Sequence, residues 1–171
     1  SERIPAVSSP VLLVIDVGNT NVSLGVYDYD DQGEGSLSQH WRVSTHREQT
    51  SDELVISLSA LFASEDRTTD EITDVILSSV VPPVVPIWER VSAKLFGQPP
   101  QIVGPGMRTG MPVRYENPHE VGADRIVNAV AAFELFGGPI IAVDFGTATT
   151  FDCISERCLL YTSPSPRDQC L

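Results

Sequence analysis

The sequence predicts an α/β protein made of two similar half-domains, and three observations carry that reading. Apolar runs cut off by glycine, which suit buried strands, alternate with segments of helical periodicity. Val11–Thr20 reads V-L-L-V-I-D-V-G-N-T and Pro139–Ala148 reads P-I-I-A-V-D-F-G-T-A. One pattern therefore occurs twice: an apolar strand ending in Asp, an apolar residue, Gly, then a hydroxyl or amide residue. The copies stand too far apart for a solenoid repeat. The third observation is composition: 171 residues, 42% hydrophobic and 20% charged, ordinary for a chain with a packed core.

Each element follows in order. Residues 1–10 form a polar tail. Val11–Val17 is a buried strand stopped at Gly18, and Val22–Tyr27, alternating around Gly25, returns as its hairpin partner. Asp28–Ser38, rich in Asp, Gly and Ser, reads as a turn, and Trp41-Arg42-Val43 as a third strand. Ser51-Asp52 caps a helix carrying Leu54, Leu58, Leu61 and Phe62 at helical spacing. Thr73–Val81 reads as a strand stopped by Pro82-Pro83. Pro86–Phe96 reads as a short helix closed by Gly97, followed by a strand at Gln101-Ile102-Val103. Gly104–Pro118 is a loop. Asn117-Pro118-His119-Glu120 carries the signature of a helix start, and that helix runs to about Phe136. Ile140–Asp144 is a second buried strand.

Charge and cysteine usage exclude several function classes. The net charge is −12, which disfavours nucleic acid as a partner because phosphate backbones are repelled. A local nest of backbone N–H groups still binds a small phosphate against such a field. Cys153, Cys158 and Cys170 all lie near the end, without metal-site spacing, so the body has no disulfide framework. No apolar run reaches the roughly 18–20 residues of a membrane span, and no signal peptide is visible. These observations predict a cytoplasmic protein without membrane or nucleic-acid partners. The chain begins with Ser1 rather than Met, so an incomplete N-terminus is expected.

Two stretches carry chemistry. In the turn after the first strand, Gly18 lets the backbone approach a ligand closely. Asn19, Thr20, Asn21 and Ser23 add side-chain donors, and Asp16 at the strand end suits a cation. Such a turn fits a nucleotide triphosphate with its metal, and equally an ordinary β-hairpin; the second copy at Asp144 favours phosphate. In Gly122-Ala123-Asp124-Arg125, early in a helix, backbone N–H groups favour anions. Asp124 suits a general base and Arg125 a carboxylate clamp, or the two form an ordinary surface pair.

Taken in order, D-V-G-N-T-N-V, S-S-V-V-P, Y-E-N-P-H-E-V-G-A-D-R and D-F-G-T-A-T-T-F-D resemble the type III pantothenate kinase family from about Val11 to Ser155. The resemblance implies an actin-like fold of two ribonuclease H-like halves that phosphorylates pantothenate with ATP, the first step towards coenzyme A. It implies that Asp16, Val17, Gly18, Asn19, Thr20, Asn21, Val22 and Ser23 form the first ATP loop, with Asp16 organising the ATP-bound Mg2+. Thr147 belongs to the second ATP loop. Tyr115, Gly122, Ala123, Asp124 and Arg125 hold pantothenate, with Asp124 as the base on its hydroxyl. Asp144 binds an activating monovalent cation, K+ or NH4+. The family implies a homodimer. The lone His40, His46 and His119 carry no such role.

The same resemblance predicts boundaries: a complete first half-domain over 11–115, a connecting helix and the start of a truncated second half over 116–155, and a non-family tail over 156–171. The Ser/Pro-rich tail reads as irregular and foreign, from a frameshift, read-through or junction. A chain cut there is expected to expose apolar edges and aggregate, to bind ATP poorly and to turn over little or no pantothenate. Two alternatives stand beside the kinase reading: another actin-like small-molecule kinase, and a non-catalytic regulatory member of the family.

Overall fold

The computed structural model describes residues 9–104, 107–113, 121–145 and 149–162. They form two compact units. One runs through residue 77 and takes in Val81–Ile102; the other takes in Ser78–Val80 and the described residues from Val103 on.

The first unit is built on a five-stranded sheet in the order β3-β2-β1-β4-β5. Its strands are β1 (Val11–Val17), β2 (Asn21–Tyr29), β3 (Gly35–Ser44), β4 (Asp74–Ser79) and β5 (Gln101–Ile102). β1, β2 and β3 are antiparallel neighbours, whereas β4 and β5 run parallel. The β2–β3 hairpin is longer than the sequence predicts. Asp28 and Tyr29 still belong to β2 and residues 35–38 to β3, so the turn narrows to residues 30–34. The Asp30 carboxylate closes it by accepting the N–H groups of Gln32 and Glu34.

Alternation along β1 and β2 places Leu13, Ile15, Val17, Val22, Leu24 and Val26 in the core, each at most 4% exposed. Helix α1 (Ser51–Ser64) contributes Leu54, Leu58 and Phe62, and helix α2 (Val85–Phe96) contributes Trp88, Val91 and Phe96. Phe62 lies between Trp41 and Phe96, with ring centroids 5.1 and 6.0 Å away. The α1 cap is Thr50, one residue before the expected Ser51-Asp52. Its hydroxyl accepts the Glu53 N–H while Glu53 reaches back to the Thr50 N–H, which satisfies two orphan donors reciprocally. A single 3-10 turn over Pro82–Val84 leads into α2, and Gly97, at φ 76°, ends it.

The second unit has a three-stranded antiparallel sheet, β6 (Ile140–Phe145), β7 (Thr149–Ile154) and β8 (Leu160–Thr162), with helix α3 (Ala123–Phe136). Its core gathers Met111, Val121, Ile126, Ala129, Ile154 and Leu160. Two expectations are corrected. Helix α3 starts at Ala123 with Gly122 as its cap, so Val121 and Gly122 do not continue a helix from Asn117; residues 117–120 lie outside the described ones. Gly122 takes extended backbone, φ −59° and ψ 146°, which stops a helix from entering through it. The stretch after Ser155 is not wholly irregular either. The Ser155 hydroxyl accepts the N–H of Arg157 and of Leu159, closing a turn, and Leu160 pairs with Ile154 as β8 begins.

Candidate functional site

In the first unit the site is the turn between β1 and β2. Register places Asp16 opposite Ser23 and Ser23 opposite Arg42, so these three share the sheet face away from Ile15 and Val17. The turn is tight. Gly18 N–H donates to the Asn21 carbonyl at 2.9 Å, and a Cβ on Gly18 would stand 3.1 Å from that oxygen. Asn19 and Thr20 are exposed at the tip, and Val17 and Val22 are buried beneath it.

Two residues that sequence reasoning passed over hold this turn. Thr45 donates its hydroxyl to the Gly18 carbonyl at 2.7 Å and its N–H to the Thr20 carbonyl at 2.9 Å. Arg47 donates to the Asn19 Oδ1 at 2.8 Å. The signal was a hydroxyl and a cation just after β3, whose far end returns beside the β1–β2 turn. Exposed backbone, amide and hydroxyl groups under a guanidinium form a surface suited to phosphate.

In the second unit, Gly122, Ala123, Asp124 and Arg125 form the start of α3. Asp124 curls over the helix N-terminus, where its Oδ1 accepts the Arg125 N–H at 2.8 Å. Gly122 makes room: a Cβ there would lie 2.5 Å from that same oxygen. The helix dipole and its orphan N–H groups favour a carboxylate in this position.

Arg125 reaches across to β7. Its Nε donates to Asp152 Oδ1 at 2.7 Å, its Nη2 stands 2.6 Å from the same oxygen, and Nη2 also donates to the Phe151 carbonyl at 3.1 Å. Asp152 is only 1% exposed. Burial pushes its carboxyl above the usual range, the Arg125 guanidinium opposes that, and the charges of Asp124 and Asp144 add to the rise. Asp124 and Asp144 thus each lie within electrostatic reach of Asp152, which Arg125 pairs with. Asp144 is exposed and pairs with Thr150 one step along the sheet from the Ala142–Asp152 pair, on the same face. Asp152 is the residue that the sequence did not single out; its signal was the alternation that puts it on the Asp144 face. Tyr115 and Thr147 lie outside the described residues. Among the described residues, no group of three or more His, Cys, Asp and Glu side chains is arranged to hold a metal ion.

The sequence model of the type III pantothenate kinase family matches residues 12–161. The chain belongs to that family. The match passes Ser155 and includes most of β8. Among similar proteins, the type III pantothenate kinase of Geobacter sulfurreducens is 54% identical over 147 residues, covering 86% of this chain and 56% of that protein. The type III pantothenate kinase of Moorella thermoacetica is 50% identical over the same shares. The chain therefore spans little more than half the length of these relatives.

Solved structures agree on the fold. A reductive activator for a corrinoid, iron-sulfur protein superposes with a TM-score of 0.54 at 11% identity, covering 88% of this chain and 30% of that one. The Ppx/GppA phosphatase of Aquifex aeolicus gives 0.50 at 14% identity, covering 86% and 49%. With the β3-β2-β1-β4-β5 order of the first unit, they identify an α/β, actin-like fold with ribonuclease H-like topology. Among the described residues, no helix is long and apolar enough to cross a membrane.

Proposed function

We propose that the protein represented by this chain phosphorylates pantothenate with ATP, giving 4'-phosphopantothenate on the way to coenzyme A. The observation that carries the reading is the family match over 12–161, within which Asp124 is held at a helix N-terminus beside the Arg125–Asp152 pair.

Asp124 takes the proton of the pantothenate hydroxyl as its oxygen attacks the γ-phosphorus of ATP, and ADP leaves. The Arg125 N–H fixes one oxygen of Asp124 and so its direction. Arg125, with Gly122, Ala123 and Tyr115, holds pantothenate. Asp16–Ser23 cradle ATP phosphates, and Arg47, adjacent to Asn19, adds positive charge; Thr147 belongs to the second phosphate loop. Asp16 and Ser23, side by side on β1 and β2, suit a hydrated divalent cation, and Mg2+ there neutralises phosphate charge when bound. Asp144, exposed at the end of β6, suits a monovalent cation, K+ or NH4+. A net charge of −12 supports a small-molecule acceptor over a polyanion. The working form is a cytoplasmic homodimer.

The test is pantothenate-dependent ADP release. It is measured on this chain and on the chain joined to the part of the Geobacter sulfurreducens relative outside the match. Asp124→Asn should lower the rate about 10²–10⁴-fold with the circular dichroism spectrum unchanged. ADP release that ignores pantothenate, or that survives Asp124→Asn, would overturn the reading.

A further inference from the structure

We infer that Asp152 is a positioning residue: it fixes the Arg125 guanidinium and, through the first turn of α3, the direction of Asp124. The inference rests on the pantothenate kinase reading for what these two residues do.

The geometry fixes Arg125 from both ends. At its head, Asp152 Oδ1 accepts from Nε and stands 2.6 Å from Nη2 as an ion pair, and the Phe151 carbonyl accepts from Nη2. Three contacts along one edge of a planar fork leave it little rotational freedom. At its base, the Arg125 N–H holds Asp124 Oδ1. The side chain that anchors to β7 therefore belongs to the residue that orients the candidate base.

A structural role alone does not require a carboxylate there. Asp152 is 1% exposed, and its neighbours on that sheet face include Ile154 and Leu160, both buried and apolar. Burying a charge pair is often no more stabilising than apolar packing of the same volume. The hairpin frame does not call for it either. Val14 pairs with Gly25 in the first unit where Ala142 pairs with Asp152 in the second, so the matched position is a glycine. The carboxylate has been added to a frame that folds without one, at the point that meets Arg125.

Its effect on ligand selection is specific. With one edge of Arg125 occupied, a substrate carboxylate meets the guanidinium from the remaining side and in one orientation. Loss of Asp152 frees the fork to rotate, and pantothenate binding should weaken about tenfold or more while ATP binding stays within about twofold.

The experiment uses the whole chain and three variants, Asp152→Asn, Arg125→Met with Asp152→Leu, and Arg125→Met alone. The Arg125 Nε–H proton signal is followed by NMR, pantothenate and ATP binding by calorimetry, and folding by thermal melting. In Asp152→Asn the Nε–H signal should shift and exchange faster, with pantothenate affinity falling selectively. The double variant, which removes both charges, should regain the melting temperature without regaining pantothenate affinity, so a misfolded single variant does not hide the answer. An unchanged Nε–H signal in Asp152→Asn, or equal losses for pantothenate and ATP, overturns the inference. If wild type binds no pantothenate, the kinase reading fails for this chain, and the Nε–H signal by itself decides whether Asp152 holds Arg125.

Discussion

Val17 and Phe145 occupy the same place in the two copies of one strand motif, yet Val17 is fully buried and Phe145 is 83% exposed. The contrast extends along both strands. Leu13 and Ile15 are at most 1% exposed, while their counterparts Ile141 and Val143 are 63% and 43% exposed. In the first unit α1 and α2 supply the residues that cover this face. In the second, α3 packs on the opposite face, against Ile140, Ala142 and Ile154.

That bare face should govern solubility. Phe151 and Tyr161 continue it across β7 and β8 at 47% and 45% exposure, so a contiguous apolar surface is presented to water. The chain should self-associate at micromolar concentration, as sedimentation velocity would show. Ile141→Thr with Phe145→Ser should raise the monomer fraction without lowering the α3 helical signal.

The core of the first unit should be sensitive at Phe62. It is 1% exposed and touches rings on both sides. Phe62→Ala should cost about 3–5 kcal/mol in urea unfolding. Ile56→Ala, at a residue 69% exposed on the same helix, should change stability by less than about 0.5 kcal/mol.

Acid should weaken the first unit through Arg67. Its guanidinium meets Asp28 at 2.7 Å and Glu71 at 3.0 Å. Hydrogen bonding from Arg67 holds the Asp28 carboxyl below its ordinary 3.8. The Thr68 N–H, with Arg67 second to it among the lowering causes, holds Glu71 below 4.5. Depressed carboxylates contribute stability that is present above those ordinary values and lost as pH falls through the folded ones. Arg67→Gln should therefore lower stability at pH 7, by less than about 1 kcal/mol since both carboxylates are more than a third exposed. The gap to wild type should close as pH falls below about 4 in a thermal melting series.

Gly122 should be intolerant of a side chain for a reason local to Asp124. Gly122→Ala places a methyl 2.5 Å from Asp124 Oδ1, so the carboxylate must leave the Arg125 N–H. Amide exchange at Arg125 should quicken. If the proposed kinase activity holds for the chain completed with the remainder of the Geobacter sulfurreducens relative, pantothenate-dependent ADP release should fall about tenfold or more there, with little change in melting temperature.

Features that depend on neighbours along the chain were legible in the residues alone. Apolar runs and period-two alternation located β1, β2 and β6. Helical spacing marked Leu54, Leu58 and Phe62, and glycines marked the β1–β2 turn and the end of α2. The ordered motifs carried the family and placed Asp16–Ser23, Gly122–Arg125 and Asp144 as candidates. Tertiary structure decided what depends on residues far apart in sequence. It joined Thr45 and Arg47 to the Gly18–Thr20 turn, because β3 returns antiparallel to β2 and ends beside it. It also started α3 at Ala123, where Gly122 is extended and leaves room for the Asp124 carboxylate. It paired Arg125 with Asp152, because α3 lies on the sheet face that alternation gives to Asp144 and Asp152. It separated Val17 from Phe145, since local hydrophobicity says that a strand has an apolar face, and only packing decides whether that face is covered.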